Sequence, residues 1–137
     1  MEKIIIYLEA IKGLSKDLHY ETKGDAFYGN HLLMDRIHDH LDEYQDEIKE
    51  NFFMYNEKSV PTHKTIIQNT IEMLPADDMD VKDKMATLLE IIRTAIYQIE
   101  QTIKDDKNLD AGDSDLLGRI SSTLKNDAAL LQRVLLS

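Results

Sequence analysis

Apolar residues recur at spacings of three and four along most of this chain, and that periodicity restricts it to packed helices. Ile4, Leu8, Ile11, Leu14 and Leu18 form one stripe, ending at Lys23-Gly24, and Leu33, Ile37, Leu41, Tyr44, Ile48 and Phe52 form a second, long one. Met85, Leu88, Ile92, Ala95, Ile99 and Ile103 make a third, starting near Asp80 and stopping in the polar stretch Lys104 to Gly112, and Leu117, Ile120, Leu124, Leu131 and Val134 make the fourth. Asp25 is placed to cap the second helix with its carboxylate. After a break from Asn56 to Pro61, Thr62 is placed to cap a short helix carrying Ile66, Ile67, Ile71 and Leu74, which Pro75 stops. No stretch alternates like a strand, and no segment repeats.

Each stripe must be buried against another, so the expected fold is all-α: a four-helix bundle with a short extra helix in the crossover between helices two and three. That description fits ferritin-like and cytokine-like bundles equally. A chain of 137 residues, 42% of them hydrophobic, has enough core for one domain, spanning residues 1–137, and too little for two. No run approaches the roughly 20 apolar residues of a membrane span, and the opening MEKIIIYLEA lacks the basic start and cleavage site of a signal peptide. A soluble, cytoplasmic protein with no membrane partner is the expectation. Without cysteine there can be no disulfide, thiolate zinc site or cysteine nucleophile, so any metal must be held by His, Asp or Glu. The 26 acidic and 16 basic residues leave a net charge of −10, which repels phosphate and attracts cations.

Helix two holds the informative residues: His31, Asp35, His38, Asp42, Asp46 and Glu50 lie between its apolar positions. With Ile37 at zero and about 100° per residue, Asp35 falls near 160°, Asp46 near 180°, Glu50 near 220° and His31 near 120°. These side chains face away from the stripe. Acidic residues on an outer face are ordinarily just solvated. Here, however, His31 with Asp35 and Asp46 with Glu50 are i,i+4 pairs, each able to grip one cation. Asp35 and Asp46 are 11 residues apart, about 16 Å along a helix, so the two pairs cannot hold one ion within one chain. Two copies of helix two packed antiparallel about a two-fold axis would bring the halves together and make two equivalent sites. His19 can join each, because the turn at Lys23-Gly24 folds the end of helix one back beside the start of helix two. Two imidazoles and three carboxylates suit Fe(II), with Mn(II) or Zn(II) as other occupants. A di-iron centre inside the bundle would need paired Glu-x-x-His motifs on two helices. Only Asp35-x-x-His38 comes near, and His63 is the only histidine after helix two.

The segment LHYETKGDAFYGNHLLMDRIHDHLDEYQDEIKE, Leu18 to Glu50, resembles the Dps (DNA-protection-during-starvation) family, whose corresponding segment begins Leu-His-Trp, continues through Lys-Gly and Phe, and ends in Asp-Glu-x-x-Glu. His19, His31, Asp35, Asp46 and Glu50 fill the family's ferroxidase positions in register, and Gly24 and Phe27 also match. The closing segment GDSDLLGRISSTLKNDAALLQRVLL resembles the family's last helix more weakly. The resemblance implies that His19, His31 and Asp35 come from one subunit and Asp46 and Glu50 from its two-fold mate. It also implies a homo-oligomer, a hollow dodecamer, that oxidises Fe(II) with hydrogen peroxide or dioxygen and stores the Fe(III) mineral, protecting against oxidative damage.

Two departures carry weight. Tyr20 stands where the family usually has Trp, which bears on radical quenching and peroxide preference; the chain opens without a lysine-rich tail and carries a net charge of −10, so no DNA binding is expected. His38 and His40 match no ligand position and read as solvated or interface residues. Asp105, Asp106, Asp110, Asp113 and Asp115 fit either an iron-entry pore or a polar loop. The competing readings are a metal-free helical interaction module, which leaves five ligands in register unexplained, and another di-metal ferritin-like enzyme, which would want ligands facing the core.

Overall fold

A computed structural model of the chain describes residues 1–136. Among them are six α-helices and no strand: α1 (Glu2–Glu21), α2 (Phe27–Asp39), α3 (Leu41–Ile48), α4 (His63–Thr70), α5 (Val81–Asp105) and α6 (Ala111–Leu135). α2, α3 and a π-helical continuation over Lys49–Met54 form the second long rod, so the four rods are α1, α2–α3, α5 and α6. The short α4 lies in the crossover and packs on α1. None of these helices is long and apolar enough to cross a membrane.

The stripes read from the sequence meet in one core. Ile4, Leu8, Ile11, Leu14 and Leu18 are buried, as are Ile37, Leu41 and Ile48, Leu88, Ile92 and Ile99, and Leu117, Ile120, Leu124 and Leu131. Each such side chain contributes about 1.5–3 kcal/mol on burial, which is what makes isolated, marginal helices into a bundle. The helix starts follow local chemistry. Thr62 Oγ1 accepts from the Thr65 amide at 3.2 Å and Asp80 from the Lys82 amide at 3.2 Å, while Asp110 and Asp113 form a reciprocal capping box at the start of α6. α4 tightens into a 3₁₀ turn over Ile71–Met73, and Leu74 is extended, as a residue before proline must be.

Asp25 does not cap α2. The cap position is Ala26, with no side-chain bond, because Gly24 takes a φ of +93° and its carbonyl accepts the Phe27 amide at 3.1 Å. A backbone turn thus satisfies the amide that a carboxylate was expected to meet. A Cβ at Gly24 would meet nothing within 4 Å, so only backbone strain opposes a side chain there. Gly24→Ala is expected to cost about 1–2 kcal/mol, read from the urea midpoint.

The second rod is not one continuous α-helix. His40, at φ −91° and ψ −7°, interrupts it, and the ladder resumes where the Tyr44 amide bonds the His40 carbonyl at 3.1 Å. The first turns of α3 are tied to α1: Lys12 Nζ donates to Asp42 (2.8 Å) and Gln45 Oε1 (3.1 Å), and Gln45 Nε2 donates to Glu9 (2.8 Å). Gln45 is therefore buried, although the apolar stripe favoured its neighbour Tyr44, which is half-buried with its hydroxyl 2.8 Å from Thr123 Oγ1. Beyond Ile48 the bonds lengthen to i+5, as in Tyr55 N–H to the Glu50 carbonyl at 2.9 Å. Such π turns recur at functional sites, and this one carries Glu50.

Candidate metal site

His19 lies in the last turn of α1 and His31 one turn into α2, and the Gly24 turn sets them face to face. Their rings stack with centroids 3.6 Å apart and planes 22° from parallel. His19 Nδ1 is 3.0 Å from the His31 carbonyl oxygen, and His31 Nδ1 is 2.5 Å from the His19 carbonyl oxygen. A carbonyl only accepts, so in each ring the proton sits on Nδ1 and is donated to the other residue's backbone. In the neutral form of each ring, Nε2 is then left with its lone pair. This is how metal-binding histidines are commonly oriented, with the second nitrogen anchored on a carbonyl or carboxylate.

The pair is flanked on both sides by aromatic rings, Tyr20 edge-on to His19 and Phe27 stacked on His31, each at 5.0 Å. Tyr20, Phe27, Tyr28 and Leu32 are all exposed, so the imidazoles sit within an apolar patch on the subunit surface. The angular reading placed His31 on the outer face; it is half-buried because the end of α1 covers that side of α2.

Asp35 follows His31 by one helical turn and is half-buried, whereas Asp46 and Glu50 are exposed on α3 and the π segment, beyond the interruption at His40. Among the described residues, no hydrogen bond or ion pair engages the carboxylate of any of these three. Their neighbours differ: Asp42 is bound by Lys12, Glu47 lies 3.5 Å from Arg119, and Asp39 lies 4.0 Å from His38. Lys12 holds the Asp42 carboxyl below its ordinary range through its hydrogen bond and charge. Among the described residues, Glu43 shares this uncommitted state on the rod. The subunit thus brings His19 and His31 together and leaves the three carboxylates apart; among the described residues no three His, Asp or Glu side chains converge on one point.

Sequence reasoning missed the ion pair, made by a buried lysine, that anchors the end of α1. Lys84 Nζ donates to Glu21 at 2.7 Å and to the Asp77 carbonyl at 2.8 Å, fastening the turn that carries His19 to the start of α5. The signal was present: Lys84 continues the stripe Leu88–Ile92 one turn earlier, a charge on an apolar line. Burial and the nearby Glu21 push the Asp17 carboxyl up, one turn away. The acidic stretch before and within α6 is largely engaged in local structure. Asp106 accepts from the Asn108 amide, Asp110 and Asp113 form the capping box, and Asp115 pairs with Arg119 at 3.0 Å.

No protein-family model matches the sequence, and no curated protein does either. Solved structures do match. A point mutant of Mycobacterium smegmatis Dps1 superposes with a TM-score of 0.80 over 98% of this chain and 91% of its own, at 20% identity. Dps from Microbacterium arborescens in its high-iron form gives 0.79 over 99% and 90%, at 18% identity. A C-terminal deletion mutant of Mycobacterium smegmatis Dps gives 0.78 over 99% and 93%, at 22% identity. Over nearly its whole length, the chain therefore has the Dps form of the four-helix bundle, with the short helix in its crossover.

Proposed function

We propose that this chain is a mini-ferritin that takes Fe(II) as substrate, oxidises it at sites shared between subunits, and stores the Fe(III) product. The observation that carries the reading is the reciprocal anchoring of His19 and His31, which leaves two Nε2 lone pairs in an apolar surface patch. Asp35 completes that half, and Asp46 and Glu50 of a two-fold-related copy supply the other. The lack of intramolecular partners for these three carboxylates supports this, because unpaired carboxylates are what a cation site needs. In the reaction, two Fe(II) ions each give one electron to hydrogen peroxide, which takes up two protons and leaves as two waters; dioxygen is the alternative acceptor. The protein contributes position and negative charge, and the metal undergoes the redox change. The net charge of −10 favours accumulation of iron cations and opposes DNA.

A homo-oligomer follows from this reading, since a single subunit holds only half-sites, and the resemblance to Dps makes that oligomer a closed dodecamer. Native mass by light scattering, followed on the same sample by Fe(II) with and without hydrogen peroxide, tests it. The expected result is a mass near twelve subunits, oxidation well above the buffer rate and iron kept in solution. A monomer that leaves Fe(II) oxidising at the buffer rate would remove the proposal and leave a metal-free helical module in its place.

A further inference from the structure

Asp127 lies on the apolar stripe of α6, between Leu124 and Leu131, and is 2% exposed. Its carboxylate accepts no hydrogen bond from any described residue; the nearest cationic nitrogen, Arg36 Nε on α2, is 3.9 Å away. A buried carboxylate with so little compensation is costly, which marks it as a candidate for binding a cation. The carboxylate borders a cleft of about 250 Å³ between α2 and α6, at the interruption of the second rod, lined also by His40, Ser122, Thr123 and Asn126.

We propose that this cleft is a second divalent-cation site, separate from the histidine pair, with Asp127 and His40 as its charged and imidazole ligands and Asn126 Oδ1 as a third donor. Arg36 is its exchangeable occupant. The guanidinium is more than half exposed and reaches the cleft through one hydrogen bond, Nη2 to Asn126 Oδ1 at 2.9 Å. Swinging it into solvent frees both Asn126 Oδ1 and the Asp127 carboxylate, and the entering divalent cation replaces the positive charge that Arg36 withdraws. Carboxylate, imidazole and amide oxygen form a hard-to-borderline set that suits Zn(II), Mn(II) or Fe(II). His40, which fills no role in the first site, is placed at the cleft by the same break in α-helical geometry that separates α2 from α3.

Zn(II) titration calorimetry on the assembled protein at neutral pH tests this. The quantity read is the difference in zinc ions per subunit between variants, so the outcome does not depend on whether His19 and His31 also bind zinc. Asp127→Asn is expected to lose one zinc per subunit, and His40→Gln to weaken that site about tenfold, while His38→Gln leaves it unchanged. Arg36→Met is expected to tighten it, because the competing cation is gone. An Asp127→Asn protein with the parent's zinc count would overturn the proposal. So would an Arg36→Met protein that binds zinc no better than the parent, and this second readout stands even if the first variant fails to assemble.

Discussion

Replacing His31 and Asp35 together by alanine is expected to slow Fe(II) oxidation by more than about 100-fold, since even a single outer partner of a metal ligand is worth 10- to 100-fold. The change removes one of two anchored imidazoles and the carboxylate one turn after it. It also removes the donor to the His19 carbonyl and the ring stacked on His19, although the His19 Nδ1 bond to the backbone carbonyl of residue 31 remains. Neither residue belongs to the core, and the α1–α2 contact keeps Leu14, Leu18, Met34 and Ile37. Helical circular dichroism is therefore expected to stay near the parent's, at a stability cost of about 1 kcal/mol for the lost hydrogen bond. Parent-like oxidation rates would strip these residues of the role assigned to them. Loss of helicity together with activity would instead give the pair a structural role at the surface patch.

Asp127→Asn is expected to raise stability at pH 7.5 by roughly 1–3 kcal/mol and to leave it nearly unchanged at about pH 3. Burial pushes the Asp127 carboxyl up to about 6, against an ordinary value of 3.8, and Arg36 and His40 only partly oppose this. The folded state therefore prefers the protonated acid. Well below 3.8 both folded and unfolded chains are protonated, and the residue's contribution is fully present. As pH rises from about 4 to 6 the unfolded chain ionises first, so stability is lost, and above about 6 the loss is complete. Asparagine resembles the protonated acid in shape and never ionises, so the variant lacks this dependence. Urea midpoints for the two proteins at both pH values measure it in metal-free buffer. Equal midpoints at pH 7.5 would mean that the carboxylate is better solvated in its cleft than its burial implies.

Apolar spacing alone announced the four rods, because each stripe is long, and Thr62, Asp80 and Pro75 fixed boundaries through chemistry confined to a few residues. The interruption at His40 was not legible: no glycine or proline marks it, and the contacts that bind α3 to α1 come from Glu9 and Lys12, about thirty residues away in sequence. Asp25 failed as a cap for the opposite reason, since the backbone of Gly24 three residues before Phe27 had already supplied the acceptor. For the candidate site, the pairing of His19 with His31 could be expected from a short turn. The direction of their Nδ1 bonds could not, because it depends on two backbone carbonyls. Lys84 and Asp127 were visible as charges on apolar lines, but their partners Glu21 and Arg36 lie on other helices.

The Gly24 turn has a consequence for the order of events in the life of the molecule. His19 and His31 are 12 residues apart, so closing their loop costs little chain entropy, and the contact is local enough to form with the α1–α2 hairpin itself. On the proposed reading, each newly folded chain carries its imidazole half-site before it meets another copy, and encounter adds only carboxylates. Metal and subunit then become linked ligands of one another. Raising the protein concentration should strengthen apparent metal affinity, and adding metal should drive dilute subunits toward the assembled form.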